Sequence, residues 1–189
     1  MKRKVLGPFL MAAALVLSSA MTLAAKAPTA LEPESQGPIA HGVRHEILMY
    51  PYYGIFDNIT YQVDGGNITL LGDVTQPYKK FDIGKRVQQV PGVTSVTNQI
   101  KVLPLSNMDD RLRWRIALAI YSEPGLSRYA NQPVPPIHII VDNGHVTLDG
   151  VVNNQMEKDL AGIRAANAGL SFGPITNNLR VEVPSSKKS

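Results

Sequence analysis

From Ile59 to Val63 (Ile-Thr-Tyr-Gln-Val) apolar and polar residues alternate, which is the period-two pattern of a half-buried strand. Asp64-Gly65-Gly66 follows, then Asn67 to Leu71 and Gly72. Gly-rich turns between two alternating runs predict a β-hairpin. The same pattern returns 78 residues later: Ile137 to Val141, the turn Asp142-Asn143-Gly144, then His145 to Asp149 and Gly150. Asn-Gly is the stronger turn signal of the two, because a type I′ turn needs positive φ at both central residues. Each hairpin leads into a helical pattern. One opens at Thr75-Gln76-Pro77 and runs to Val90; the other is capped by Asn153-Asn154 and runs to Ala168. Pro91-Gly92 stops the first and Gly169 the second. A last strand completes each copy, Val96 to Val102 and Ile175 to Val181, with the offset grown to 79. Shorter helical patterns open the copies, around Val43 to Tyr50 and from Asp109 onward.

Strand parity then assigns the layers. Ile59, Tyr61, Val63, Ile68, Leu70, Val96, Ile100 and Val102 share one face, while Thr60, Gln62, Thr69, Thr97, Gln99 and Lys101 share the other. The apolar face requires a helical layer over it. The predicted fold class is α+β: two tandem αββαβ two-layer sandwiches, each a three-stranded mixed sheet with two helices on one face.

The N-terminus adds a targeting signal. Met1-Lys2-Arg3-Lys4 is basic, Val5 to Leu17 is apolar but interrupted by Gly7-Pro8, and small residues follow. This is the pattern of a secretory signal peptide, too short for a membrane span. The predicted organisation is a signal peptide at 1–24, a Pro-containing disordered leader at 25–40, a first repeat at 41–103, a linker at 104–108, a second repeat at 109–183 and a disordered tail at 184–189. The expected location is periplasmic or secreted after cleavage. Without cysteine, neither disulfides nor a lipidated cysteine contribute. The formal charge of +4 includes Lys2, Arg3 and Lys4; removing them leaves 16 basic against 15 acidic residues, so no basic field points to nucleic acid.

No catalytic motif stands out. Gly84-Lys85 is followed by Arg86 and lacks the leading Gly of a phosphate loop, and no Gly-x-Ser-x-Gly elbow exists. His41 and His45 have helical spacing but no carboxylate or cysteine at ligand distance in sequence, so neither a metal nor a cofactor is expected. Gly72 and Gly150 end the second strands, where positive φ or close backbone approach favours Gly. Asn98 and Asn177 share the parity of their apolar neighbours, and an unpaired amide there costs about 1–3 kcal/mol. Their expected role is structural, bonding loop backbone near the Gly72 and Gly150 turns.

The helix opening the second repeat carries two apolar arcs. Ser106-x-x-Asp109 resembles a capping box. Leu112, Ile116, Ala119 and Ile120 form one arc, and Trp114, Ala117, Leu118 and Tyr121 the other, with Arg111 and Arg115 beside it. One arc packs on its own sheet; the surplus arc either packs on the first repeat or meets a lipid headgroup interface. Leu71 and Ile140 break the polar pattern of the outward sheet faces and are candidates for an interface between repeats.

These runs together resemble the BON domain, a module of bacterial envelope proteins. The first repeat carries "NITLLGDV" and "GVTSVTNQIKV", the second "HVTLDGVV" and "FGPITNNLRV", with Asp110-x-Leu112-x-x-x-Ile116-x-x-Ala119-Ile120 matching the opening helix. The resemblance implies an αββαβ fold, no catalytic residues, and a commonly stress-associated envelope role that involves phospholipid surfaces or other envelope components. The first repeat departs from the pattern, its opening helix running into Tyr50-Pro51-Tyr52-Tyr53-Gly54, and the second has Gly173-Pro174 where Gly-Val is usual. The functional expectation is a non-enzymatic protein that binds anionic phospholipid or envelope surfaces through Arg111, Trp114, Arg115, Leu118 and Tyr121. The alternative is an adaptor or chaperone-like module that takes a protein partner on its sheet faces and edges.

Overall fold

The computed structural model describes residues 37–169 and 171–182. The expected signal peptide, most of the leader and the tail lie outside the described residues. The first repeat runs α1 (Pro38–Leu48), β1 (Asn58–Asp64), β2 (Asn67–Val74), α2 (Pro77–Gln88), then a last strand in two pieces, β3 (Ser95–Asn98) and β4 (Lys101–Val102). The second runs α3 (Asn107–Tyr121), a 3-10 turn at Ser127–Tyr129, β5 (Ile137–Asp142), β6 (His145–Val152), α4 (Gln155–Asn167), β7 (Thr176–Asn177) and β8 (Arg180–Val181).

Two boundaries differ from the sequence expectation. Residues 38–40, assigned to the leader, belong to α1, and Ala40 is buried. Pro38 explains the early start, since at the first helical position its missing N–H has no intrahelical partner to lose. Helix α3 begins inside the expected linker because Ser106 Oγ accepts the Asp109 N–H at 3.2 Å. The capping box is only half made: the Asp109 carboxylate turns to the hairpin instead, accepting from Asn143 N at 3.0 Å and Gly144 N at 2.9 Å. Asn143 there has φ 51° and Gly144 φ 79°, as a type I′ turn requires.

In each sheet the second strand is central, antiparallel to the first and parallel to the last. Leu70 pairs with Asn98 and Asp73 with Lys101, the same offset on both sides of the break, so the interruption is no register slip. Asn98 causes it. Its Oδ1 accepts the Ile100 N–H at 3.2 Å and its Nδ2 donates to Lys80 O at 2.8 Å. Asn177 does the same with Leu179 N and Lys158 O. Both amides therefore anchor the last strand to the helix above it, and not to the Gly72 or Gly150 turn.

Each anchor needs room in that helix. A Cβ on Gly84 would lie 2.7 Å from Asn98 Nδ2, and one on Gly162 2.8 Å from Asn177 Nδ2. Glycine inside a helix costs about 1 kcal/mol relative to alanine, yet both helices keep it at the same offset. Asn98→Leu should lower stability by about 1–3 kcal/mol, because Lys80 O loses a donor and Ile100 N its acceptor. Thermal melting of the variant checks this, and an unchanged midpoint would remove the anchoring role.

Helices cover one face of each sheet and enclose a separate core. Val43, Ile47, Ile59, Ile68, Leu70, Ile83, Val87 and Ile100 build the first; Leu112, Ile116, Ile120, Ile137, Ile139, Leu148, Ala161 and Leu179 are among those of the second. Val63, at the end of β1, lies past the helical layer and is exposed. Ile55 and Phe56, which precede β1 in the first repeat, pack on the second core.

Candidate contact face and the junction between repeats

Helix α3 buries Leu112, Ile116, Ala117 and Ile120 against its own sheet. Trp114 and Leu118, one turn apart, are 66% and 71% exposed, and at i, i+4 spacing they share a side of the helix. Arg111 and Arg115 lie exposed beside them. Arg113 is the odd member of this run: it is buried, donates to Val141 O at 2.5 Å and pairs with Asp110. Sequence reasoning passed over it because an arginine between two arginines reads as surface.

Tyr121 departs from the expected arc. It is half-buried, and its hydroxyl donates to Ile137 O at 2.6 Å. Burial pushes its phenol above the ordinary range. Being last in α3 it turns inward over β5, so the outward face consists of Trp114 and Leu118 with the two arginines. Ala117 also belongs to the buried side.

The surplus arc meets the first repeat at Phe56. Phe56 packs edge-on against Trp114, ring centroids 4.9 Å apart at 82°. The loop that carries Phe56 is fastened along its length. Tyr53 lies 5.5 Å from the His138 ring and Ile55 O accepts the Ile139 N–H at 2.7 Å; elsewhere on the junction, Lys101 Nζ of β4 reaches Asp142 at 2.5 Å. His138 and Ile140 stand on the outward face of β5 yet are buried, while Leu71 is half-buried. Burial pushes the His138 imidazole below its ordinary range, against the opposing influence of Gly54, Asp57 and Asp149 around it.

Asp57 holds the loop from below. Fully buried, it accepts Lys79 Nζ at 2.6 Å and Gly54 N at 3.0 Å on Oδ2, and Thr75 N at 2.9 Å and Thr75 Oγ1 at 3.0 Å on Oδ1. The second repeat answers the same need with reversed polarity. Glu157, 78 residues after Lys79, accepts the Tyr129 hydroxyl at 2.5 Å and Asn153 N at 3.1 Å and pairs with Arg128. Burial raises the Glu157 carboxyl, but Tyr129, Asn153 and Arg128 together outweigh it and hold it below the usual range. The sequence signal for both networks is the aligned pair Lys79 and Glu157, opposite charges at one position of a repeat.

His41 and His45 lie on α1, and among the described residues no three histidine, cysteine or carboxylate side chains gather as a metal set. Among them too, no helix is long and apolar enough to cross a membrane.

A family model described as BON domain matches residues 38–104 and 125–182. Helix α3, with the exposed Trp114 face, falls outside the second match. No curated protein matches. Among solved structures, the chain is similar to CdsD, a structural protein of the Type III secretion system of Chlamydia trachomatis, at 15% identity and a TM-score of 0.30, over 75% of this chain and 60% of that one. It is also similar to the C-terminal domain of the same protein, at 14% identity and a TM-score of 0.28, over 78% of this chain and 99% of that one.

Proposed function

The chain belongs to the BON domain family, and on that premise we propose that it is a non-enzymatic envelope protein that binds anionic phospholipid surfaces through the outer face of α3. The observation that carries this reading is the pairing of two large exposed apolar side chains, Trp114 and Leu118, with the exposed Arg111 and Arg115 beside them on the helix. Indole and leucyl groups suit the acyl boundary, and guanidinium groups suit the phosphates above it. Burying the two apolar groups contributes roughly 1.5–3 kcal/mol each, and each arginine about 1 kcal/mol near an anionic leaflet. Such sums correspond to reversible, salt-sensitive docking of a peripheral protein.

Trp114 is the only tryptophan, so its emission reports on this face alone. Titration with phosphatidylglycerol-containing vesicles at low salt should shift that emission to the blue, and added salt should reverse the shift. No shift at low salt would overturn the reading. Binding that survives Trp114→Ala combined with Arg111→Ala, alongside capture of one protein partner, would favour the adaptor reading instead.

A further inference from the structure

We infer that Phe56 of the first repeat is a member of the second repeat's contact face, so that the face is assembled only when the two repeats are docked. The inference rests on the lipid reading above for its occupant, an anionic phospholipid surface, and on the junction for its geometry.

Trp114 projects from α3 with two thirds of its surface free. Two of its neighbours one turn away in α3, Arg111 and Leu118, are themselves exposed. Among the described residues, the aromatic contact on the indole comes from the other repeat: the edge-on Phe56 ring at 4.9 Å. Phe56 is itself only half-buried, so it contributes apolar surface beside Trp114 as well as holding it.

Phe56 is in turn placed by a chain of contacts that crosses the junction. Asp57, the next residue, is locked under the loop by Lys79 and Thr75. Ile55, the residue before, hydrogen-bonds the backbone of β5 through its carbonyl and packs on the second core. A ring held on both sides in this way cannot follow α3 if the repeats separate. Undocking strips Phe56 from Trp114 and narrows the apolar face, while docking restores it. The arrangement makes the surface affinity of α3 depend on the first repeat, although the first repeat's own opening helix presents no comparable Trp and Arg face.

The test uses the full chain with Phe56→Ala and Phe56→Leu. Leucine keeps most of the packing on the second core but removes the ring edge, so it separates positioning from stability. Both variants should shift Trp114 emission to the red and lower its anisotropy before any vesicle is added. Both should weaken binding to vesicles of phosphatidylglycerol and phosphatidylcholine by about two- to tenfold, the range expected for loss of one aromatic pair. A folded Phe56→Leu protein with wild-type emission, anisotropy and vesicle affinity would overturn the inference. If the wild type binds no vesicles but Phe56→Leu still changes emission and anisotropy, the lipid reading falls while the positioning of Trp114 by the first repeat stands.

Discussion

Asp57→Ala should destabilise the first repeat by about 3–5 kcal/mol, the range measured when one partner of a buried ion pair is removed. The reason is what it leaves behind. Lys79 Nζ keeps only Thr75 Oγ1 at 2.9 Å, and the N–H groups of Gly54 and Thr75 lose their acceptor together. A domain of this size has roughly 5–15 kcal/mol in all, so the loss should appear as a large drop in the urea midpoint by circular dichroism. Asp57→Asn retains an acceptor for Thr75 N but leaves the ammonium uncompensated, and should fall between the two. Replacing both charges, as Asp57→Leu with Lys79→Met, should recover much of the loss, since apolar pairs of similar volume often match a buried ion pair. Equal midpoints for Asp57→Ala and the wild type would show that the pair contributes nothing. Because Asp57 holds the loop carrying Ile55 and Phe56, Trp114 emission should respond to this change in the other repeat.

Gly150→Ala should have the second large effect, above about 3 kcal/mol on the second repeat. Gly150 has φ +125°, where L residues are strained, and a Cβ there would lie 1.8 Å from Pro136 O, a backbone atom that cannot swing aside. Gly72 is in the same position, with φ +110° and Asn58 O at 2.1 Å. Gly65 provides the comparison: φ is also positive, +58°, but nothing lies within 4 Å of the added Cβ. Gly65→Ala should therefore cost only about 1 kcal/mol, the backbone penalty alone. Melting curves for the two variants measure the difference, and similar losses at Gly65 and Gly150 would show that φ strain, and not the clash with Pro136 O, sets the cost.

The proposed contact face was legible in outline. Trp114, Leu118, Arg111 and Arg115 could be placed together from helical spacing, because a residue's angular position on a helix depends only on its number. Tyr121 could not, since its direction is decided by the Ile137 carbonyl, 16 residues away in sequence. Asn98 shows the same division. Its burial among apolar strand neighbours follows from parity, but whether its amide meets the Gly72 turn or the Lys80 carbonyl depends on how closely α2 approaches the sheet, and Gly84 sets that approach. A glycine inside each helix at matching repeat positions was the available clue.

By itself the sequence determined the doubled αββαβ architecture, the hairpins and the core face of each sheet, because turn chemistry and side-chain periodicity act over a few residues and need no partner. Only the tertiary structure decided that Asp57 and Lys79 meet, that Asp109 secures the hairpin turn at Asn143, and that Phe56 reaches Trp114 across the junction. Those pairings join residues 22, 34 and 58 positions apart, and at such separations the choice of partner depends on how whole layers pack, for which a local pattern carries no signal.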